Sequence, residues 1–209
     1  MSPADLLARG IAELGLGISA GIQEKLVDYL ALIAKWNRIH NLTAVREDTK
    51  MVSVHALDCL AIVPHLNAGS VLDVGSGAGL PGIPLALLWP QARVVLLDSN
   101  HKKAAFLRQA VIELGLKNVE VVSERAELWH TSEQFDLVIS RAFSDVNEFL
   151  TLAGRLCSAD GLVAAMKGVY PEAELAQLPA TFKLCRVVPL NVPGLHAKRH
   201  LVLLTPLRG

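Results

Sequence analysis

Apolar positions follow two different rhythms along this chain. Up to about residue 66 they recur at helical spacing, and Ile22, Leu26, Tyr29, Leu30 and Ile33 make one continuous stripe. Ser2-Pro3-Ala4-Asp5 has the makings of a helix start, with a capping serine, proline at the first helical position and an acid in the first turn. A helix over about 3–14 follows, closed near Gly15 or Gly17, and Ser19 is expected to cap a longer one that ends within 35–43. A third covers about 48–66. From Ser70 the rhythm changes to short apolar runs alternating with helical stretches. Strands are predicted at 71–74, 93–98, 119–122, 135–140 and 161–166, with helices at 82–89, 100–114, 145–156 and 171–178 and a short helical turn at 124–130. Five such βα units imply a parallel sheet covered on both faces. The last two runs, 183–190 and 200–205, are joined by a Pro/Gly loop without a helix, which predicts an antiparallel hairpin at the sheet edge. The expected architecture is α/β: a seven-stranded, mostly parallel sheet in a core of residues 67–209, with residues 1–66 as a helical extension packed on it.

Composition narrows this only a little. At 209 residues the chain is long enough for one domain with a full core. Twenty basic and twenty acidic side chains cancel, so a nucleic-acid partner would have to be met by a local basic face, and composition by itself lends RNA binding no support. Cys59, Cys157 and Cys185 are odd in number and lack C-x-x-C spacing, which argues against a disulfide framework and a zinc site and leaves a reducing cytoplasm as the simplest home. No metal is expected. Asp5, Arg9 and Glu13 interrupt the N-terminus at helical intervals, unlike a signal peptide. The uncharged run 74–92 is broken by glycines and prolines, so no membrane segment is expected.

The candidate chemistry lies in Ser70 to Gly82, SVLDVGSGAGLPG. A buried strand turns through Gly75, Gly77 and Gly79 and enters an apolar helix after Pro81. Glycine lets the backbone approach a ligand closely, and unpaired N–H groups at the helix start face the same space. Read literally, Gly77 to Gly82 is G-x-G-x-x-G, a weak dinucleotide signal. Yet Asp73 makes the stretch D-x-G-x-G-x-G, a loop pattern that resembles S-adenosylmethionine (SAM) methyltransferases. There the acid is expected to meet the cationic amino end of methionine; a pyrophosphate would be repelled at that point. Asp98, ending the second strand, is the acid expected to grip ribose hydroxyls and suits either ligand. The closing hairpin and the short remaining chain favour SAM. A SAM-dependent methyltransferase of another substrate, a dinucleotide-binding oxidoreductase and a plain structural turn remain as alternatives.

Taken together, K-W-N-x-x-x-N-L-T at 35–43, H-x-x-D at 55–58, DVGSGAGLPGIPLA at 73–86, LLDSxxKKxxFLR at 96–108, S-R-A-F at 140–143, M-K-G at 166–168 and R-H-L-V at 199–202 resemble the ribosomal small subunit methyltransferase G family, also called glucose-inhibited division protein B. The likeness runs nearly end to end; Cys59 stands where the family often has serine. It implies a class I SAM-dependent, Rossmann-like fold. It also implies methyl transfer from SAM to N7 of one guanine in 16S rRNA, on the small ribosomal subunit or an assembly intermediate, by a cytoplasmic monomer. The family's cofactor contacts fall on Gly75, Leu80, Ala126, Glu127 and Arg141, beside Asp73, Gly77 and Asp98 from the loop reading.

Guanine N7 offers a lone pair and carries no proton, so positioning is expected to suffice without a general base. The position after the fourth strand reads Ser140-Arg141-Ala142-Phe143, not the D/N-P-P-Y/F of amino-group methylation, and no cysteine follows a proline at a strand end. Arg141 and Lys167 are the candidate positioning residues. For Arg141 the roles are contact with guanine, phosphate or cofactor, against an ordinary salt bridge to a neighbouring acid. Lys167 is a candidate for RNA phosphate, against a plain surface lysine. Phe143 could stack on a base or on adenine, or simply fill core. Arg125, Arg199 and His200 extend a possible basic rim, and Lys35, Arg38, His40, Asn41 and Arg46 continue it on the N-terminal extension, where a solvated helix end is the plainer reading. His55 and Asp58, one helical turn apart, are expected to hold that extension on the core. Lys102, Lys103 and Arg108 read as exposed charges.

Overall fold

The computed structural model describes residues 1–141 and 143–207; Ala142, inside the S-R-A-F stretch, lies outside them. Helix α1 (Pro3–Glu13) begins as expected, with the Ser2 hydroxyl accepting from the Asp5 N–H and the Asp5 carboxylate accepting from the Ser2 N–H in return. Helix α2 (Ala20–His40) follows Ser19, but the Ser19 hydroxyl makes no cap bond; Gln23 instead donates its side-chain amide to the Ile18 carbonyl at 2.8 Å. Asn41, left-handed at φ 46°, closes α2.

The expected single helix at 48–66 is broken. It runs as α3 (Asp48–Met51), a π-helical turn (Val52–Leu57), α4 (Asp58–Leu60) and a 3₁₀ turn (Val63–His65). The cause is tertiary: Arg141 donates to the Val54 carbonyl at 2.9 Å, in the middle of the π turn.

Seven strands then form one sheet: β1 (Ser70–Val74), β2 (Arg93–Leu97), β3 (Val119–Val122), β4 (Phe135–Ser140), β5 (Cys157–Lys167), β6 (Phe182–Leu190) and β7 (Arg199–Pro206). Their order is β3-β2-β1-β4-β5-β7-β6, parallel throughout except β7, which runs antiparallel between β5 and β6. Helices α5 (Gly82–Leu88), α6 (His101–Glu113), α7 (Val146–Ala153) and α8 (Glu172–Leu175) connect them. The helix expected at 171–178 shrinks to the single turn of α8. The helical turn expected at 124–130 is a hydrogen-bonded turn in which the Arg125 carbonyl accepts from the Leu128 and Trp129 N–H groups. Strand β5 starts earlier than its apolar run.

Period-two alternation sends neighbouring residues of a strand to opposite faces. Val71, Val94 and Leu96 join the layer covered by α1, α2, α5 and α6, while Leu72, Val74, Val95 and Leu97 join the layer under α7. The first layer is one continuous cluster from Leu7 on α1 to Leu203 on β7, so the leading helices share a core with the sheet. Among the described residues no helix is long and apolar enough to cross a membrane.

Candidate functional site

The site grows from the bend after β1. Gly75, Gly77 and Gly79 adopt φ values of 68°, 59° and 86°, which side chains with a Cβ rarely accept. Gly75 and Ser76 both donate to the Leu97 carbonyl, at 2.8 and 3.1 Å, which locks the bend to the end of β2. Below it, the Asp73 carboxylate is fully buried and accepts from the Gly82 N–H at 2.9 Å. A Cβ at Gly82 would lie 2.2 Å from Leu96 Cδ2 and 2.8 Å from Asp73 Oδ2, so glycine is required for α5 to seat there. Burial pushes the Asp73 carboxyl up to about 7, against the stabilising pull of the Gly82 N–H. Its other oxygen, Oδ1, is buried without a hydrogen-bond partner.

One support comes from outside the strand-turn-helix unit. Tyr29, completely buried on α2, donates its hydroxyl to the Ala78 carbonyl at the centre of the bend. The extension thus reaches the loop directly.

At the carboxyl ends of β1, β2 and β3 the bend opens into a cavity of about 430 Å³. Val74, Leu97, Phe143 and Leu152 form its apolar walls, and Gly75 and Ala126 leave room in it. Asp98 lines it with both carboxylate oxygens anchored, Oδ2 accepting from the Gly77 N–H and Oδ1 from the Asn100 N–H, each at 2.8 Å. Asn100 also caps α6 by accepting from the Lys102 and Lys103 N–H groups, and Lys103 reaches the cavity wall. The turn carrying Ala126 is held from behind by Arg155, which donates to the Ala126 and Trp129 carbonyls.

The structure therefore gathers Gly75, Asp98, Arg125, Ala126, Glu127 and Phe143 around one cavity. Gly77 adjoins it through Asp98. Two loop residues stand behind the cavity wall. Asp73 is not a cavity-lining acid: it sits beneath the bend and holds α5, because its strand position faces the core. Leu80 is 3% exposed and belongs to the core cluster under the loop.

Several of the rim cations are paired within the fold. Arg141 is not among the residues lining this cavity; its Nη1 donates to the Val54 carbonyl and lies 3.4 Å from the buried Asp58 carboxylate. Arg199 donates from Nε to the other oxygen of Asp58 at 3.0 Å and from Nη1 to the Lys198 carbonyl. Burial pushes the Asp58 carboxyl up even between two guanidinium groups. Asp58 thus fastens the helical segment 52–60 to the ends of β4 and β7. His55 is also buried and meets Thr43 at 3.0 Å, and burial pushes its imidazole down to about 4.

Lys167 is not a free surface lysine: its ammonium donates to the Ser144 carbonyl and to Glu174 at 2.9 Å, with its side chain only 10% exposed. Asn41 is exposed and accepts from Arg46. Arg125 is exposed beside Glu127 at 3.5 Å. His200 binds the Gly168 carbonyl through Nδ1 at 3.0 Å. Phe143 stacks on Phe149 at 5.2 Å and also lines the cavity.

Comparison with known proteins adds a separate line of support. Residues 22–202 match the family model described as rRNA small subunit methyltransferase G. The chain is 58% identical over 211 residues to a protein named Ribosomal RNA small subunit methyltransferase G from Nitrosospira multiformis, covering 98% of each chain. It is 52% identical to the protein of that name from Chromobacterium violaceum, covering 94% of each. The chain belongs to the rRNA small subunit methyltransferase G family. Solved structures agree on the fold. TrmN from Thermus thermophilus aligns with a TM-score of 0.57 at 22% identity over 82% of this chain and 53% of its own. A SAM dependent methyltransferase from Aquifex aeolicus aligns with a TM-score of 0.56 at 22% identity over 74% and 92%. The class I methyltransferase architecture expected from the βα alternation and closing hairpin is the one observed.

For a family member, the parts that sequence reasoning missed are mostly supports. Ser99, Asn100, Lys103 and Glu124 line the cavity, and the run from Asp98 to Lys103 was a usable signal: an acid ending a strand, then an asparagine able to cap the next helix. Tyr29 left no such trace, since it reads as one more member of an apolar stripe.

Proposed function

We propose that this chain transfers a methyl group from SAM to N7 of one guanine in the 16S rRNA of the small ribosomal subunit. The observation that carries the reading is the cavity over the positive-φ glycine bend, with the anchored Asp98 carboxylate at its wall, in a member of this family.

The residues present suit that cofactor. Asp98 spends one lone pair per oxygen on backbone N–H groups and keeps others for ribose hydroxyls. Gly75 allows close approach to the end of β1, and Ala126 with Leu97, Phe143 and Leu152 offers a flat apolar slot for adenine. Lys103, Glu124, Arg125 and Glu127 keep the mouth polar. SAM supplies a methyl group already activated by its sulfonium. The protein's own task is alignment and exclusion of water, because guanine N7 presents an unprotonated lone pair. Arg141 and Lys167 then act as positioning residues through the loops they hold. Arg141 fixes the π turn and Lys167 fixes the segment that follows β4. In this reading residues 1–66 act as an extension on the 67–209 core, and the protein works as a monomer in the cytoplasm.

The deciding experiment incubates purified protein with methyl-labelled SAM and small subunits from cells lacking this enzyme, then maps the modified base. Label at a single guanine, sensitive to N7-specific strand cleavage, is expected. Label elsewhere, or none while SAM still binds, overturns the substrate.

A further inference from the structure

We propose that Tyr170 is a stacking platform for an unpaired base of the RNA beside the one being methylated. The inference rests on the RNA substrate proposed above and names where a second base is held.

Tyr170 and Val169 are 51% and 70% exposed, among the large apolar side chains that this protein leaves open to water. They follow Lys167 and Gly168, at the carboxyl end of β5. This is the same end of the parallel sheet as the cavity, and the two are tied together: Lys167 binds the Ser144 carbonyl, and the adjacent Phe143 lines the cavity. The Tyr170 ring is not loose. It meets the His200 ring at 5.9 Å and 87°, and His200 is itself fixed by the Gly168 carbonyl. An edge-to-face pair holds an aromatic in place without covering it as a stacked pair would.

Charge around the ring favours a polyanion. Lys198 is exposed and makes no salt bridge among the described residues, while Arg199, which sits next to Gly168 with its Nη1 3.8 Å from where a Cβ would lie, is already paired with Asp58. The acids that could cancel this are largely occupied: Asp58 by Arg141 and Arg199, Glu174 by Lys167. Glu172, two residues beyond Tyr170, is an exposed acid. A half-open aromatic face with an unpaired lysine near it in the chain suits an unpaired base, since every base has a π face and brings a phosphate with it. A flipped target guanine leaves its neighbours unstacked, and such a platform gives one of them a new partner.

The test measures methylation kinetics on small subunits, together with direct binding of a protein-free 16S fragment. Variants Tyr170→Ala, Tyr170→Leu, Tyr170→Phe and Tyr170→Trp are compared with the parent, each checked by thermal melting. Tyr170→Ala and Tyr170→Leu are expected to raise KM for RNA about tenfold, the scale of one stacked base, at unchanged kcat and unchanged SAM affinity. Phe and Trp should restore it. An unchanged KM for the alanine variant overturns the platform while leaving the RNA reading intact. Retention by leucine but not alanine also overturns it, because that pattern marks an apolar protein contact. A parent protein that neither binds nor methylates RNA removes both.

Discussion

At the scale of single residues, groups behind the bend shape the site as well as those that face the cavity. Tyr29 is the sharpest example: its hydroxyl ties α2 to the Ala78 carbonyl inside an otherwise apolar layer. Tyr29→Phe leaves that carbonyl without a partner, costing about 1–2 kcal/mol of stability, and it should weaken SAM binding severalfold in calorimetric titration because the bend relaxes. At Gly82, alanine must displace Leu96 or Asp73, so Gly82→Ala is expected to lower stability by about 1–3 kcal/mol and to reduce SAM affinity in the same experiment. Asp73 makes a prediction with a sign. Its carboxyl titrates near 7 in the folded chain against an ordinary value of 3.8, so the folded state holds the proton more tightly. The associated stability is fully present below about pH 4 and is lost as pH rises through about 7. Asp73→Asn removes that loss, and its melting temperature relative to the parent should rise between about pH 5 and about pH 8. A difference that stays flat with pH would remove Asp73 as a titrating group.

Among elements, the clearest departure from local expectation has a tertiary origin. The segment 48–66 has the apolar spacing of a continuous helix, yet it contains a π turn because Arg141, 87 residues away, takes the Val54 carbonyl. Asp58 then binds Arg141 and Arg199 at once, joining α4 to the ends of β4 and β7. This three-charge clasp is buried on the carboxylate side, where desolvation already opposes ionisation. Asp58→Ala strands two partly buried guanidinium groups. It should cost about 3 kcal/mol and make residues 41–60 the first site of limited proteolysis, ahead of the sheet. Strand β5 ends in a second clasp of Lys167, Glu174 and Ser144, which holds the chain after β4 against α8. Helix α8 is only one turn long, and Glu174 on it serves this ion pair and the Val146 N–H at the start of α7.

For the molecule as a whole, net charge is zero, so RNA attraction has to come from cations left unpaired by the fold. Lys35, Arg38, Lys102, Lys103 and Lys198 make no salt bridge among the described residues, while Arg141, Lys167 and Arg199 are neutralised internally. Contact with about three phosphates gives a log-log salt slope of about −2 for single-stranded RNA, which filter binding between low and physiological salt would measure. A flat response would show that shape, not charge, carries the encounter. The same distinction separates what could be read in advance from what could not. Element order, the parallel alternation, the closing hairpin and the glycine bend were legible in the sequence by itself, because each depends on periodicity or on backbone freedom within a few residues. The cavity position followed, since a bend after β1 and an acid after β2 must meet at one end of a parallel sheet. Only the tertiary structure decided which charges are available. Asp58 finds Arg141 and Arg199 at separations of 83 and 141 residues, and no local spacing encodes that pairing. It also placed the Asp73 carboxyl in the buried layer beneath the bend, because the direction a strand residue faces is set by the layer packed against it.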